Sequence, residues 1–245
     1  MKTKIFIIIL LSTINYLTVD AQTVIYSNIV KKDIFQIELA SFQTIQQDDL
    51  EKSTSWSLPS ALFRYGLNER IELQLVTPFN NESLYSDNDL VSSNFHIKKV
   101  QLGVVVNLLE RNKIIPETSF TYRSIVPFNE TESINKTAHH FSLNLSNKLS
   151  NKFILNYNFR YKVHSDKSTA TQYVSNVGYS INNKLQFFVE NNGEISQKEL
   201  TSNFLIGGLS YVVLDNLFFN MHYGKCLKQE TVMVGGILTW RFKTV

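Results

Sequence analysis

Large apolar side chains recur at every second position of this chain, and that period limits what it can become. The clearest run is Phe153-Ile154-Leu155-Asn156-Tyr157-Asn158-Phe159-Arg160-Tyr161-Lys162-Val163. Phe153, Leu155, Tyr157, Phe159, Tyr161 and Val163 fall on one face, opposite Asn156, Asn158, Arg160 and Lys162. A helix would mix the two sets all round its circumference, so the segment must be an extended strand with one greasy and one wet face. Ile71, Leu73 and Leu75 are separated in the same way from Arg70, Glu72 and Gln74. Phe141, Leu143 and Leu145 oppose Ser142, Asn144 and Ser146, and Val232, Val234, Leu238, Trp240 and Phe242 share a face near the C-terminus.

Such runs predict strands near 34–44, 55–66, 69–78, 97–108, 113–126, 138–149, 152–163, 170–181, 184–192, 202–213, 216–225 and 230–243. Pro59 interrupts the second of them. The connections alternate in length. Tight turns rich in Asn, Asp or Gly fall at 66–69, 110–112, 149–151, 182–183 and 214–216, and longer polar segments at 45–54, 79–96, 127–137, 164–169, 193–201 and 226–229. An even-stranded meander with short turns on one side and longer loops on the other is the arrangement of outer-membrane barrels. The predicted fold is therefore all-β: a closed antiparallel up-and-down transmembrane β-barrel of about twelve strands. Closure is demanded because every N–H and C=O that meets lipid must be paired, which an open sheet edge cannot achieve.

A soluble β-sandwich or lipocalin-like barrel obeys the same period with its greasy face inward. Three features favour the membrane. Strands of about 10–13 residues suit a tilted span, Tyr and Phe gather near strand ends as interface girdles do, and twelve strands enclose a lumen too wide for Asn, Ser and Gly to fill.

The N-terminus supports export. Met1-Lys2-Thr3-Lys4 leads into Ile5-Phe6-Ile7-Ile8-Ile9-Leu10-Leu11, a basic segment followed by an apolar stretch too short to span a bilayer. Val19-Asp20-Ala21 fits signal-peptidase preference, so residues 1–21 are expected to be removed and 22–245 to form one barrel domain. Charge and cysteine content remove other classes. A net charge of +3, from 24 basic and 21 acidic residues scattered without a stripe, gives no reason to expect nucleic acid. The lone Cys226 excludes an intrachain disulfide and a cysteine zinc cluster.

The hairpin Phe63-Arg64-Tyr65-Gly66-Leu67-Asn68-Glu69-Arg70-Ile71-Glu72-Leu73 resembles the R-Y-G-L-t-d-r-l-E-l hairpin of the transporter family labelled MetA-pathway of phenol degradation. Similarity continues through Pro116-Glu117, Phe188-Val189-Glu190-Asn191-Asn192-Gly193 and the closing Val234-Gly235-Gly236-Ile237-Leu238-Thr239-Trp240-Arg241-Phe242. The resemblance implies an outer-membrane barrel with an uptake role and names no ligand. Barrels of this kind often finish on an aromatic residue that the assembly machinery recognises. Here Phe242 lies three residues inside the end.

With the greasy face toward lipid, parity turns Glu38, Arg64, Arg70, Glu72, Glu117, Arg123, Arg160, Lys162, Glu190 and Arg241 inward. Arg64, Arg70, Glu72, Glu117, Arg123, Arg160, Glu190 and Arg241 are the candidate lumen-lining residues. They either line a pore that holds a small solute or brace neighbouring strands as structural ion pairs. His140-Phe141-Ser142 resembles the His-x-Ser pattern of outer-membrane phospholipases, yet parity points both polar members away from lipid. His139 and His140 project to opposite faces and cannot share a metal. No phosphate loop, nucleophile elbow or metal-ligand spacing is present, so no cofactor, metal or catalytic residue is expected. The expectation is a monomeric outer-membrane channel or transporter of a Gram-negative bacterium that takes up small molecules, hydrophobic or aromatic ones among them. Its partners are outer-membrane lipid, the solute and the barrel-assembly machinery. A closed structural or binding barrel and a lipid-active enzyme are the alternatives.

Overall fold

The computed structural model describes residues 29–47, 51–86, 89–96, 99–112, 115–127, 137–197 and 199–244. The expected signal segment with its cleavage point at Ala21, and most of the connection 127–137, lie outside them. The described elements are β1 (Ile34–Gln47), β2 (Glu51–Gly66), β3 (Ile71–Ser86), β4 (Asp89–His96), β5 (Lys99–Leu109), β6 (Glu117–Pro127) and β7 (Ala138–Lys148). β8 (Phe153–Val163), β9 (Thr169–Ser180), β10 (Leu185–Ser196), β11 (Glu199–Leu214), β12 (Leu217–Cys226) and β13 (Thr231–Lys243) follow.

Apart from β4 and β5, each strand pairs antiparallel with its sequence neighbour, and β13 returns to β1 with Ile34 opposite Lys243 and Ser41 opposite Gly236. The ring closes with twelve staves although thirteen strands are present. β4 and β5 together make one stave: β5 pairs with the lower part of β3, Ile71 to Val76, and β4 with its upper part, Asn80 to Ser86. The segment 79–96, expected as a loop, is thus the far end of β3 joined to β4. In the same way β1 and β2 run on into 45–54, and β10 and β11 into 193–201. These extensions lie at the loop end and are rich in Ser, Thr, Asn and Gln, and their backbones still pair. Pro59 is accommodated where β2 slips register against both neighbours, between Ser57 and Ser60 on one side and Leu58 and Ala61 on the other. A residue that cannot donate to the ladder sits at the bulge.

The side-chain faces are inverted relative to a water-soluble barrel. Leu73, Leu102, Phe141, Leu143, Phe159, Tyr161, Val189, Leu205, Tyr223 and Trp240 are exposed on the outer surface. Gln36, Arg64, Glu72, Arg123, Asn144, Asn158, Arg160 and Glu190 are buried within. Near the short-turn end the outer face carries a run of rings: Phe63 to Phe35 at 6.2 Å, Phe35 to Phe242 at 6.5 Å and Phe242 to Trp240 at 4.2 Å between centroids. Such aromatic rings belong to the girdles at the membrane interface. Three of the tight turns, at Asn68, Ser150 and Asn182, share one device, in which a single side chain accepts from two backbone amides. Asn68 Oδ1 takes the N–H of Arg70 and Ile71 at 2.8 and 2.9 Å, and Asn182 Oδ1 those of Lys184 and Leu185 at 2.8 and 2.9 Å.

Leu143 stands mid-strand on the outer face. Leu143→Arg should lower stability by roughly 2–4 kcal/mol, read from urea unfolding of protein refolded into phospholipid vesicles. An exposed leucine of a soluble barrel would tolerate the change within about 0.5 kcal/mol.

Candidate functional site

The interior has three sectors. The first is a chain of charged and amide groups on β13, β1, β2, β3 and β6. Arg241 donates from Nε to Gln36 Oε1 at 2.6 Å, and Gln36 donates to Glu38 Oε1 at 2.5 Å. Arg64 reaches Glu38 from Nη1 at 3.0 Å and holds Glu72 with two bonds, Nε to Oε1 at 2.7 Å and Nη2 to Oε2 at 2.8 Å. This forked geometry suits a guanidinium and a carboxylate. Gln74 donates to Glu72 Oε1 at 2.6 Å and accepts from Arg123 Nε and Nη2 at 3.0 and 2.6 Å. Arg123 reaches Gln74 across β5 because Gly103 stands between them. A Cβ there would lie 3.0 Å from Arg123 Cγ and 3.3 Å from Gln74 Cβ. The backbone N–H of buried Val30 also donates to Glu72, at 2.6 Å, so the lead-in to β1 turns over the short-turn end of this cluster.

The second sector, on β6 to β10, is mostly amide and hydroxyl. Asn144 donates to Ser119 Oγ and Thr121 Oγ1 at 3.2 and 3.0 Å and accepts from Asn158. Glu190 receives Asn176 at 3.3 Å and Asn192 at 3.1 Å. Arg160 donates to Ser142 Oγ at 3.1 Å and Gln172 Oε1 at 3.0 Å, while Lys162 pairs with Glu194 at 2.6 Å. Every buried polar side chain that finds a partner here avoids the cost of an unmade bond in a dry interior.

The third sector is apolar: Phe42, Phe188, Ile206, Met233 and Ile237 pack together from β1, β10, β11 and β13. His222 of β12 stacks on Phe42 at 4.9 Å and meets Phe188 edge-on at 6.5 Å, with no hydrogen bond to either ring nitrogen. The Phe188 ring covers Gly208 and the Phe42 ring covers Gly235, where a Cβ would come within 2.3 and 2.2 Å of ring carbons. These missing side chains let both rings lie back against the wall instead of crossing the lumen.

All three sectors border one cavity of about 530 Å³ that runs from the Asn182-Asn183-Lys184 turn to mid-barrel. Val174, Ile206, Cys226 and Met233, buried toward the loop end, lie beyond it.

A family model described as "Putative MetA-pathway of phenol degradation" matches residues 22–242. The chain belongs to this family. No curated protein matches it in sequence. Three solved structures share the barrel of this phenol-degradation family member. An outer membrane channel from Pseudomonas putida F1 aligns with a TM-score of 0.65 at 10% identity over 91% of this chain and 100% of that one. The KdgM porin in complex with disordered oligogalacturonate aligns at 0.52 and 9% identity, covering 84% and 99% of the two chains. The NanC porin aligns at 0.50 and 11% identity, covering 82% and 98% of the two chains. With these proteins the family member shares the fold of an outer-membrane barrel.

Of the candidates from sequence, Arg64, Glu72, Arg123 and Arg241 fall in the first sector, and Arg160 and Glu190 in the second. Glu117 stands at the short-turn end, where Arg111 reaches it at 3.2 Å. Arg70 does not join the interior. It is exposed in the turn ahead of β3, because the hairpin is already reversing at that residue, and the inward parity assigned to it is corrected accordingly. His139 and His140 do take opposite faces: His139 bonds the Tyr122 hydroxyl at 2.9 Å, while His140 pairs across from Arg123. Sequence reasoning missed the apolar sector. Its signal was present as doublets, Phe187-Phe188, Leu205-Ile206 and Ile237-Leu238, in which both faces of a strand are greasy.

Glu72→Gln leaves the buried Arg64 guanidinium with Glu38 alone, and a loss of roughly 3 kcal/mol is expected from the denaturant midpoint in micelles.

Proposed function

We propose that this chain is an outer-membrane channel of a Gram-negative bacterium through which small molecules enter by diffusion, with a lumen suited to hydrophobic or aromatic ones. The observation that carries the reading is the cavity of about 530 Å³ bounded by charged, amide and apolar walls inside a barrel whose outer face is greasy. That volume falls in the range of small-molecule sites. The family description, which names a phenol-degradation pathway, and the relatives titled channel or porin support it. On this reading Arg64, Glu72, Arg123, Arg160, Glu190 and Arg241 set the field along the lumen, and Glu117 and Arg70 stand at its mouth. Residues 1–21 direct export, the barrel-assembly machinery inserts the chain, and it works as a monomer in lipid.

A second reading, a closed binding barrel, draws on the buried side chains beyond the cavity, since Val174, Ile206, Cys226 and Met233 occupy the loop-end interior. An enzymatic role finds no support in the His140 and Ser142 pair, because Ser142 faces inward and accepts from Arg160.

Purified protein in planar bilayers and in liposomes distinguishes the two readings. A channel gives a small steady conductance in potassium chloride and swelling in solutions of small solutes. Heat-modifiable, inserted protein that passes neither ions nor solutes is a closed scaffold, and the channel assignment then fails.

A further inference from the structure

The charges around the cavity do not cancel. Arg64, Arg123, Arg160, Arg241 and Lys184 line it against Glu38 and Glu190, and adding Glu72, buried behind Arg64, still leaves a cationic wall. Among the described residues, two of these arginines hydrogen-bond only to neutral partners. Arg123 spends two of its five N–H groups on the single Gln74 oxygen, and Arg160 spends two on Ser142 and Gln172. No carboxylate among the described residues forms an ion pair with either: Glu38 and Glu72 are held by Arg64, and Glu194 by Lys162. A buried cation whose nearby carboxylates are bonded to other cations is costly and favours an anion that can enter. Opposite stand Phe42 and Phe188, held flat over Gly235 and Gly208, with Ile237 on the same wall. A small inorganic anion would leave that face unused, and an uncharged aromatic would leave the guanidinium N–H groups unmet.

We infer that the cavity binds a small aromatic monocarboxylate, its carboxylate between Arg123 and Arg160 and its ring against Phe42 and Phe188. The assignment rests on the uptake reading and narrows it to a class of solute. Two N–H forks and a flat apolar wall recognise the two ends of such a molecule at once.

The test is equilibrium dialysis of the full-length barrel in detergent micelles with benzoate, acetate, benzyl alcohol and benzylammonium. Benzoate should bind at least tenfold more tightly than each of the other three. Arg160→Gln, and Arg123→Gln with Arg160→Gln, should each weaken benzoate at least tenfold in protein that keeps its heat-modifiable mobility. Equal binding of acetate and benzoate, tighter binding of benzyl alcohol, or no benzoate binding to wild type overturns the inference. The wild-type ligand series decides it even if the double variant does not fold. Conductance of the same preparation is read separately. Current without benzoate preference removes only the ligand assignment, and benzoate binding without current removes only the channel.

Discussion

Pairing of the backbone around a closed ring is the constraint on which everything else in this molecule depends. In hydrocarbon an unmet N–H or C=O costs several kcal/mol, so a strand can meet lipid only if both its edges are taken. The return of β13 to β1 supplies the last pair of edges. Once the ring is closed, side chains can only point out to lipid or into the lumen, and their chemistry follows from that choice. Leucine and phenylalanine stabilise the outer face while asparagine, glutamine, arginine and glutamate gather inside.

Inside, the arrangement divides labour between holding the wall and leaving space. Amide ladders such as Asn144 with Asn158, Ser119 and Thr121 fill the sector where β6, β7 and β8 face the lumen. The Glu38, Arg64 and Glu72 cluster ties three successive staves together. Its desolvation cost is met by the forked bonds of Arg64 to Glu72 and by the amides of Gln36 and Gln74, which add second bonds to carboxylate oxygens that Arg64 also holds. Where glycine lies under an aromatic ring, at positions 208 and 235, the wall stays thin and the cavity persists.

What could be read from the residues ends where the lipid ends. The spans from Phe153 to Val163 and from Thr231 to Lys243 match the alternating runs within a residue or two, because hydrocarbon on one side and polar lumen on the other enforce the period. Above the membrane both faces of a strand meet water and the period vanishes, so Phe79 to His96 looked like a loop although its backbone forms β3 and β4. The interior charges were legible by parity wherever they stood mid-strand, as for Arg64, Arg123 and Glu190. Arg70 failed because a turn releases a residue from the strand's alternation. The pairing of Arg123 with Gln74 was not legible at all, since it spans two staves and depends on a glycine in a third.

The seam between first and last strands is stitched on both sides, by Phe35 with Phe242 outside and by Gln36 with Arg241 inside. Gln36 and Arg241 stand 205 positions apart in the chain and the two rings lie just outside them, so neither contact exists until the whole sheet has been made. Arg241 therefore finds Gln36 only when the cylinder shuts, and it stays exposed to solvent even then. Loop-closure entropy of that length is repaid late, which makes shutting the cylinder the slow, cooperative event in the birth of the folded protein.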